Sequence, residues 1–275
     1  MERRQFLTLP LAALAVPGLI AAGAGSAQAA TPVRALKGVS NGGSDAVSFR
    51  QIKGLNPDWY YTWQHTRTYT GIPFVPMIKD ARRLLQQDAL GFVNRELSQT
   101  KTGNLLGFNE PDHPEQANMS VDEAVQLWPL LQTTKLRLGS PATVGPTSPW
   151  LDKFMLRVKR EKLRVDFMTM HCYAWPKSDS FLRKVAELHE KYERPVWVTE
   201  YAVADWNASK TRRNEYSRKQ VETFMRETVA GMRKMPYVER FAWKNRPIND
   251  LQMGTSSLFN LDGTTTSTGK LYASL

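Results

Sequence analysis

Eight short apolar segments recur along this chain, and they limit the possible folds more than any other feature of the sequence. They are rich in valine, leucine, phenylalanine and tryptophan and are bounded by turn residues, so they predict buried strands. Stretches with helical periodicity separate most of them, and this alternation is typical of parallel strands joined by crossover helices. The segments are residues 35–40, 59–63, 74–78, 105–108, 136–140, 165–173, 196–200 and 238–243.

Eight strand–helix units predict an α/β fold, namely a closed (β/α)8 TIM-type barrel. An open doubly wound sheet is the alternative, but no glycine-rich nucleotide-binding fingerprint follows the first segment, so that alternative loses its best support. A barrel of this type takes about 250 residues, which suits a single compact domain formed by residues 30–275. In such a barrel the carboxyl ends of the strands form the functional face.

The N-terminus has the features of an export signal. Arg3 and Arg4 form a twin-arginine pattern, an apolar stretch follows at residues 9–22, and residues 27–29 form a small-residue cleavage site. A transmembrane helix is the alternative, but the stretch is short for a span and is interrupted by prolines. We therefore predict a twin-arginine signal peptide at residues 1–29, no stable membrane insertion, and export to the periplasm or the extracellular space.

Composition restricts the partners and cofactors. The net charge is +11, but the basic residues lie in predicted surface helices mixed with acids, so we expect no nucleic-acid site. Cys172 is the only cysteine, which leaves no intramolecular disulfide and no cysteine-based metal site. The four histidines form no H-E-x-x-H pattern, and no G-x-S-x-G elbow is present. We expect a monomer without a metal or another cofactor.

Two of the apolar segments lead into a glutamate. Glu110 follows the fourth segment, and Glu200 ends the seventh. Burial of an unpartnered carboxylate is strongly unfavourable, so either each glutamate forms a buried ion pair with a lysine or arginine, or both serve chemistry in one cleft. The fourth and seventh strands of a small barrel lie across from each other. We therefore predict an acid/base and nucleophile pair, as in retaining glycosidases, whose carboxyl groups lie about 5–5.5 Å apart.

Other strand ends supply polar and aromatic side chains to the same face. Rings beside convergent polar groups are typical of a sugar site, because the C–H face of a sugar packs on a ring while its hydroxyls form hydrogen bonds. We expect an amide to hold the sugar 2-hydroxyl and an imidazole or phenol to orient Glu200. A satisfied core histidine and simple packing of the two tryptophans are the alternatives. The predicted substrate-binding residues are Asn109, His171, Tyr173, Trp63 and Trp243.

Five motifs spread over most of the chain point to one family. They read LGFNEPDHPEQANMSVDEAVQLW at residues 106–128, VDFMTMHCY at 165–173, PVWVTEYA at 195–202, VERFAW at 238–243 and SLFNLDG at 257–263. Together they resemble glycoside hydrolase family 128, whose members are small clan A barrels that cleave β-1,3-glucans with retention. The resemblance implies that Glu110 is the acid/base and Glu200 the nucleophile. It also implies that the residues lining the sugar cleft include Asn109, His171, Tyr173 and Trp243.

Basic residues depart from the family pattern where sugar subsites would lie. Lys79 follows the third segment, and Lys244, Asn245 and Arg246 follow Trp243. Lys79 and Arg246 either reach an acidic substituent of the substrate or face solvent, and we expect them to face solvent. The sequence thus predicts an exported, endo-acting β-1,3-glucanase with a retaining mechanism and β-glucan as its partner. The alternatives are the same chemistry on another polysaccharide, or a barrel that binds glycans without cleaving them.

Overall fold

The computed structural model describes residues 34–41, 46–67, 69, 71–86, 88–100 and 103–275. Residues 1–29 lie outside this part of the chain, so the signal peptide and the domain start at residue 30 stay predictions. The described residues form seven strands, which are β1 (Leu36–Ser40), β2 (Trp59–Tyr61), β3 (Asn104–Leu105), β4 (Arg137–Leu138), β5 (Met168–Ala174), β6 (Val196–Val203) and β7 (Val238–Lys244).

The parallel strands close into a ring. The main sheet has the order β2-β1-β7-β6-β5, and β3 pairs separately with β4. Isolated parallel bridges join the remaining neighbours, namely Gly139–Phe167, Met77–Leu106 and Tyr60–Phe74. Residues 74–77 therefore lie between β2 and β3 and complete the eight strand positions of the ring. The predicted (β/α)8 barrel is confirmed.

Helices alternate with the strands and pack their apolar faces on the outside of the ring. Their starts are fixed by side chains in the sequence: the Ser120 hydroxyl accepts from the Glu123 backbone N–H, and Ser217 forms a capping box with Gln220. None of the described helices is long and apolar enough to cross a membrane. The helices are α1 (Ala46–Gly54), α2 (Ala81–Gln86), α3 (Ala89–Thr100), α4 (Val121–Gln132), α5 (Pro149–Arg160), α6 (Ser178–Tyr192), α7 (Arg218–Lys234) and α8 (Ser267–Ser274).

Bulky side chains fill the inside of the barrel. Trp197 stacks on Phe167 with ring centroids 4.1 Å apart and leans against Trp59 at 5.5 Å. At the amino-terminal end of the strands, the guanidinium of Arg240 lies 4.3 Å from the centroid of Trp197, and burial lowers the pKa of Arg240 to about 10. Because this end is packed, the carboxyl ends of the strands form the open face.

Candidate active site

A cavity of about 600 Å³ opens at the carboxyl ends of the strands. Polar and charged groups dominate its lining, and the residues come from six of the eight strand positions or from the loops that follow them. Both predicted catalytic carboxylates face it. The lining residues are Thr62, Trp63, Gln64, Lys79, Asn109, Glu110, His113, Glu115, Gln116, Tyr173, Glu200, Trp206, Lys244, Arg246, Asp250, Gln252 and Met253.

Glu110 reaches the cavity from a strained backbone position. Its φ of 45° lies in the left-handed region, which L-residues other than glycine rarely adopt. Its backbone N–H donates to the carbonyl of Ala142 at 2.6 Å, and its own carbonyl accepts from the N–H of His113 at 3.0 Å. These bonds hold the turn, and they leave the side chain 13 % exposed at the cavity wall.

An irregularity in β6 brings Glu200 to the inside of the barrel. Trp197 points inward and Tyr201 points outward against the helices, although positions 197 and 201 would share a face in a regular strand. The pairing with β5 supplies the reason, because Met170 pairs with Val198 and His171 with Glu200, which leaves Thr199 as an extra residue. Such a bulge shifts the alternation by one residue and turns the Glu200 carboxylate into the cavity.

Glu200 is nearly buried, and both of its oxygens have partners. Oε1 accepts from the Tyr61 hydroxyl at 2.9 Å and from the Trp63 indole N–H at 2.7 Å. Oε2 accepts from the Tyr173 hydroxyl and lies 3.0 Å from Nζ of Lys244. The side chain is only 4 % exposed, so these donors replace the water that the carboxylate has lost.

His171 lies between the two carboxylates. Its Nδ1 is 2.8 Å from Oε1 of Glu110, and its Nε2 is 3.3 Å from Oε1 of Glu200. The ring is 0 % exposed. One buried imidazole therefore contacts both carboxylates and fixes their relative position.

The surroundings lower the pKa of Glu200 and raise the pKa values of the two tyrosines that contact it. Burial alone would raise its pKa, but the charges of His171 and Lys244 and the hydrogen bonds from Tyr173 and Trp63 outweigh burial and place the pKa of Glu200 well below its usual range. Burial and the Glu200 charge raise the pKa of Tyr61 and of Tyr173 well above the usual value. The two phenols therefore stay protonated and donate, while Glu200 stays ionised.

Five of the seven predicted site residues line the cavity, namely Trp63, Asn109, Glu110, Tyr173 and Glu200. Glu110, Glu200 and Tyr173 contact one another through His171 or directly. Asn109 is 3 % exposed, and its Oδ1 has no hydrogen-bond partner among the described residues. This oxygen is a buried acceptor at the cavity wall.

Trp63 lines the cavity as expected, but one face of its ring is already covered. Nζ of Lys244 lies 3.7 Å from the centroid of the Trp63 ring and covers one ring face. The indole N–H is used by Glu200. A sugar that packs on this ring must therefore use the other face or displace the ammonium group.

The expected sugar contacts of His171 and Trp243 are not available in this structure. His171 is wholly buried below the carboxylates, so it orients them instead of reaching a ligand. Trp243 is also 0 % exposed, packs against Tyr201 at 4.9 Å and donates its indole N–H to the carbonyl of Ser256. Side chains alternate along β7, so Trp243 points outward to the helices and Lys244 points into the cavity.

Lys79 and Arg246 both line the open cavity, and Arg246 faces solvent as expected, with 50 % of its side chain exposed. Arg246 forms two hydrogen bonds to Oδ2 of Asp250, at 2.9 and 2.7 Å. Sequence reasoning also missed Tyr61, which donates to Glu200, and Trp206, whose exposed ring contacts Tyr173 edge-on at 6.1 Å. The inward parity of Tyr61 on its strand was the available signal for that residue.

Within the part of the chain that the structure describes, no group of three or more His, Cys, Asp or Glu side chains is placed to hold a metal ion. Cys172 lies on the outer side of β5, away from His171, and burial raises the pKa of its thiol. The groups in direct contact at the centre of the cavity are the two carboxylates, the imidazole of His171, the phenols of Tyr61 and Tyr173 and the ammonium of Lys244.

Comparison with known proteins identifies the class of the chain. The family model described as "Glycosyl hydrolase catalytic core" matches residues 38–272, so the barrel is a glycosyl hydrolase catalytic core. An endo-β-1,3-glucanase of family 128, subgroup I, from Amycolatopsis mediterranei, solved with laminarihexaose, is 31% identical with a TM-score of 0.75. The match covers 87% of this chain and 98% of that one. The chain belongs to glycoside hydrolase family 128.

Two further relatives extend the comparison. A subgroup II endo-β-1,3-glucanase from Sorangium cellulosum is 25% identical with a TM-score of 0.70, over 87% of this chain and 98% of that one. The curated "Alkali-sensitive linkage protein 1" of Schizosaccharomyces pombe is 28% identical over 233 residues, or 81% of this chain. The match spans only 41% of the length of that curated relative.

Proposed function

We propose that this protein is an endo-acting β-1,3-glucanase that works by double displacement, with Glu200 as the nucleophile and Glu110 as the acid/base. The observation that carries the proposal is that two carboxylates with different surroundings lie in one cavity. Glu200 is nearly buried, receives several donors and has a pKa well below its usual range. Glu110 is joined to it through one imidazole ring.

The first half-reaction uses both carboxylates at once. An oxygen of Glu200 attacks the anomeric carbon while the proton of Glu110 moves to the glycosidic oxygen, so the C–O bond to the leaving sugar breaks as the ester to Glu200 forms. In the second half-reaction Glu110 takes a proton from water, and the water oxygen attacks the same carbon. The ester bond then breaks, and Glu200 is released as a carboxylate.

The surrounding side chains fit roles in positioning. His171 touches both carboxylates and holds their separation, and Tyr61 and Tyr173 keep Glu200 oriented through their hydroxyls. Asn109 lies next to Glu110 in the cavity lining, and its amide group fits the role of a hydrogen-bond partner for a sugar hydroxyl. Such bonds to the 2-hydroxyl strengthen in the transition state.

The substrate class follows from the relatives together with the cavity. Proteins at 31% and 25% identity are described as endo-β-1,3-glucanases, and the first was solved with laminarihexaose bound. The exposed ring of Trp206 supplies an aromatic face at the cavity wall. Together with the twin-arginine pattern at residues 1–29, these features lead us to propose a monomeric, exported enzyme that acts on β-glucan outside the cytoplasm.

Laminarin hydrolysis tests the function directly. The purified wild type should release laminari-oligosaccharides of several lengths, while Glu200→Gln and Glu110→Gln should lose at least about 10²-fold in rate. Glu190→Gln, on the exposed surface of α6, is the matched control and should keep wild-type activity. Hydrolysis of another polysaccharide but not of laminarin would refute the linkage, and binding of laminari-oligosaccharides without turnover would favour the non-catalytic alternative.

Two measurements test the mechanism. Proton NMR of the first product should show the β-anomer, because two inversions restore the starting configuration. Azide should restore turnover of an aryl laminaribioside by Glu110→Ala, since the small anion replaces water without needing a general base. First appearance of the α-anomer would refute double displacement.

A further inference from the structure

Lys244 occupies an unexpected place in the cavity. It is the last residue of β7, and alternation along that strand points its side chain inward. Its Nζ lies 3.0 Å from Oε2 of Glu200 and 3.7 Å from the centroid of the Trp63 ring. With 17 % of its side chain exposed, the ammonium is held by the carboxylate on one side and by the ring face on the other.

The hydrogen bonds distinguish the two oxygens of Glu200. Oε1 accepts from Tyr61 and Trp63 and faces His171 at 3.3 Å. Tyr61 and His171 are wholly buried while Trp63 lines the cavity, so two of the three partners of Oε1 lie on the inner side of the carboxylate. The partners of Oε2 are Tyr173 and Lys244, and both of them line the cavity. Oε2 is therefore the oxygen that a sugar can reach.

We propose that Lys244 is the electrostatic partner of this reacting oxygen and assists the release of Glu200 from the glycosyl ester; the proposal rests on the function given above. When the bond between the anomeric carbon and Oε2 forms, the oxygen loses its charge and the ammonium stays over Trp63. When that bond breaks, the electron pair returns to Oε2 beside a cation that is already in place.

The same contact has opposite effects on the two half-reactions. A cation beside Oε2 stabilises the free carboxylate, which makes Glu200 a weaker nucleophile but a better leaving group. Removing the ammonium should therefore slow the second half-reaction while leaving the first half-reaction almost unchanged or faster. A residue that only supports the local fold would slow both.

The charged and titratable groups that face Glu200 come from four elements. Tyr61 lies on β2, His171 and Tyr173 lie on β5, Lys244 lies on β7, and Glu110 is reached through His171. The charges of His171 and Lys244 lower the pKa of Glu200. Loss of Lys244 should therefore raise the pH at which Glu200 becomes protonated.

Steady-state kinetics on an activated substrate test the catalytic part. With a dinitrophenyl laminari-oligosaccharide at pH 7, kcat reports the second half-reaction and kcat/KM the first. Lys244→Met should lower kcat by about tenfold or more and lower KM in parallel, and Lys244→Arg should restore most of kcat. Lys191→Met, which removes a lysine paired with Asp152 on the outer surface, is the control. Unchanged kcat, or an equal fall in kcat and kcat/KM, would overturn the proposal.

A titration without substrate separates this proposal from the proposed function. Carbon-13 NMR of glutamate-labelled protein, with the Glu200 signal assigned from Glu200→Gln, should find the wild-type carboxylate ionised down to about pH 3. In Lys244→Met the same signal should titrate at least about one pH unit higher. If Lys244→Met fails to fold by circular dichroism, Lys244→Gln takes its place. Identical titration of wild type and variant would overturn the role of Lys244, whatever the protein hydrolyses.

Discussion

The ionised carboxylate of Glu200 stabilises the folded wild type at neutral pH, and wild type loses this stabilisation in acid. Glu200→Gln should lack the stabilisation at every pH. The pKa of Glu200 is lowered well below its usual range in the folded chain, whereas an unfolded glutamate titrates near about 4.3. A lowered pKa stabilises the fold above the unfolded pKa, and this contribution falls as the pH drops toward the folded value. Wild type should therefore begin to lose this stabilisation at about pH 5 and lose more of it at lower pH.

The size of the effect follows from proton linkage. At pH 3 an unfolded glutamate is mostly protonated while the folded Glu200 is still ionised, so wild type has lost about 1.8 kcal/mol of unfolding free energy through this one group. For a domain of this size that loss corresponds to about 4–7 °C in Tm. Glu200→Gln is isosteric and does not titrate, so it should not lose this contribution.

Thermal and urea unfolding of both proteins at pH 7, 5, 4 and 3 measure the difference. The advantage of wild type over Glu200→Gln should shrink by about 2 kcal/mol between pH 7 and pH 3. Glu190→Gln, an exposed position on α6, controls for the loss of one acidic group. A wild-type advantage that stays constant over this range would show that Glu200 is not held as a carboxylate in the folded protein and would refute the electrostatic argument.

Three further substitutions test other parts of the structure. Trp243→Phe should cost about 1–3 kcal/mol of unfolding free energy, because the buried indole bond to Ser256 is lost, with KM unchanged; a raised KM at unchanged stability would instead indicate a sugar contact. Trp206→Ala should raise KM for laminari-oligosaccharides about fivefold and leave Tm unchanged, since the ring is 61% exposed; equal KM values would rule out a stacking role. Burial lowers the pKa of Lys37 from 10.5 to about 8. Between these two pH values the unfolded chain binds more protons than the folded chain. The unfolding free energy of wild type should therefore rise with pH by up to about 1.4 kcal/mol per pH unit. Lys37→Met should lack this rise in urea unfolding, and parallel curves for the two proteins would contradict it.

The barrel and the two cavity carboxylates were predictable because the relevant signals are local in sequence. Each strand is a short apolar segment, and the charge cost of a buried glutamate makes Glu110 and Glu200 conspicuous at the ends of two such segments. The bulge at Thr199 was not predictable, since it depends on the register between β5 and β6. Only the structure explains how a glutamate next to the outward Tyr201 comes to face the cavity.

The wrong assignment of Trp243 on β7 to the sugar cleft has a simple origin. Trp243 was assigned to the cleft by its residue type, although a shift of one position along a strand moves a side chain to the other face. Lys244 is the residue that faces the cavity, and it pairs with Glu200. The ion-pair alternative is therefore confirmed for Glu200, while its catalytic role stays a prediction. The positions of Lys79 and Arg246 depend on loop conformation, which the sequence pattern does not determine.

The left-handed backbone at Glu110 implies that part of the fold's stability is given up for this turn. A non-glycine residue in this region costs on the order of 1 kcal/mol, and Trp63, with φ of 57°, carries a similar penalty in the same cavity. Glycine would adopt both conformations with less strain. Under the proposed function, Glu110→Gly relieves this strain and removes the acid/base, so selection for thermal resistance alone favours a protein without activity.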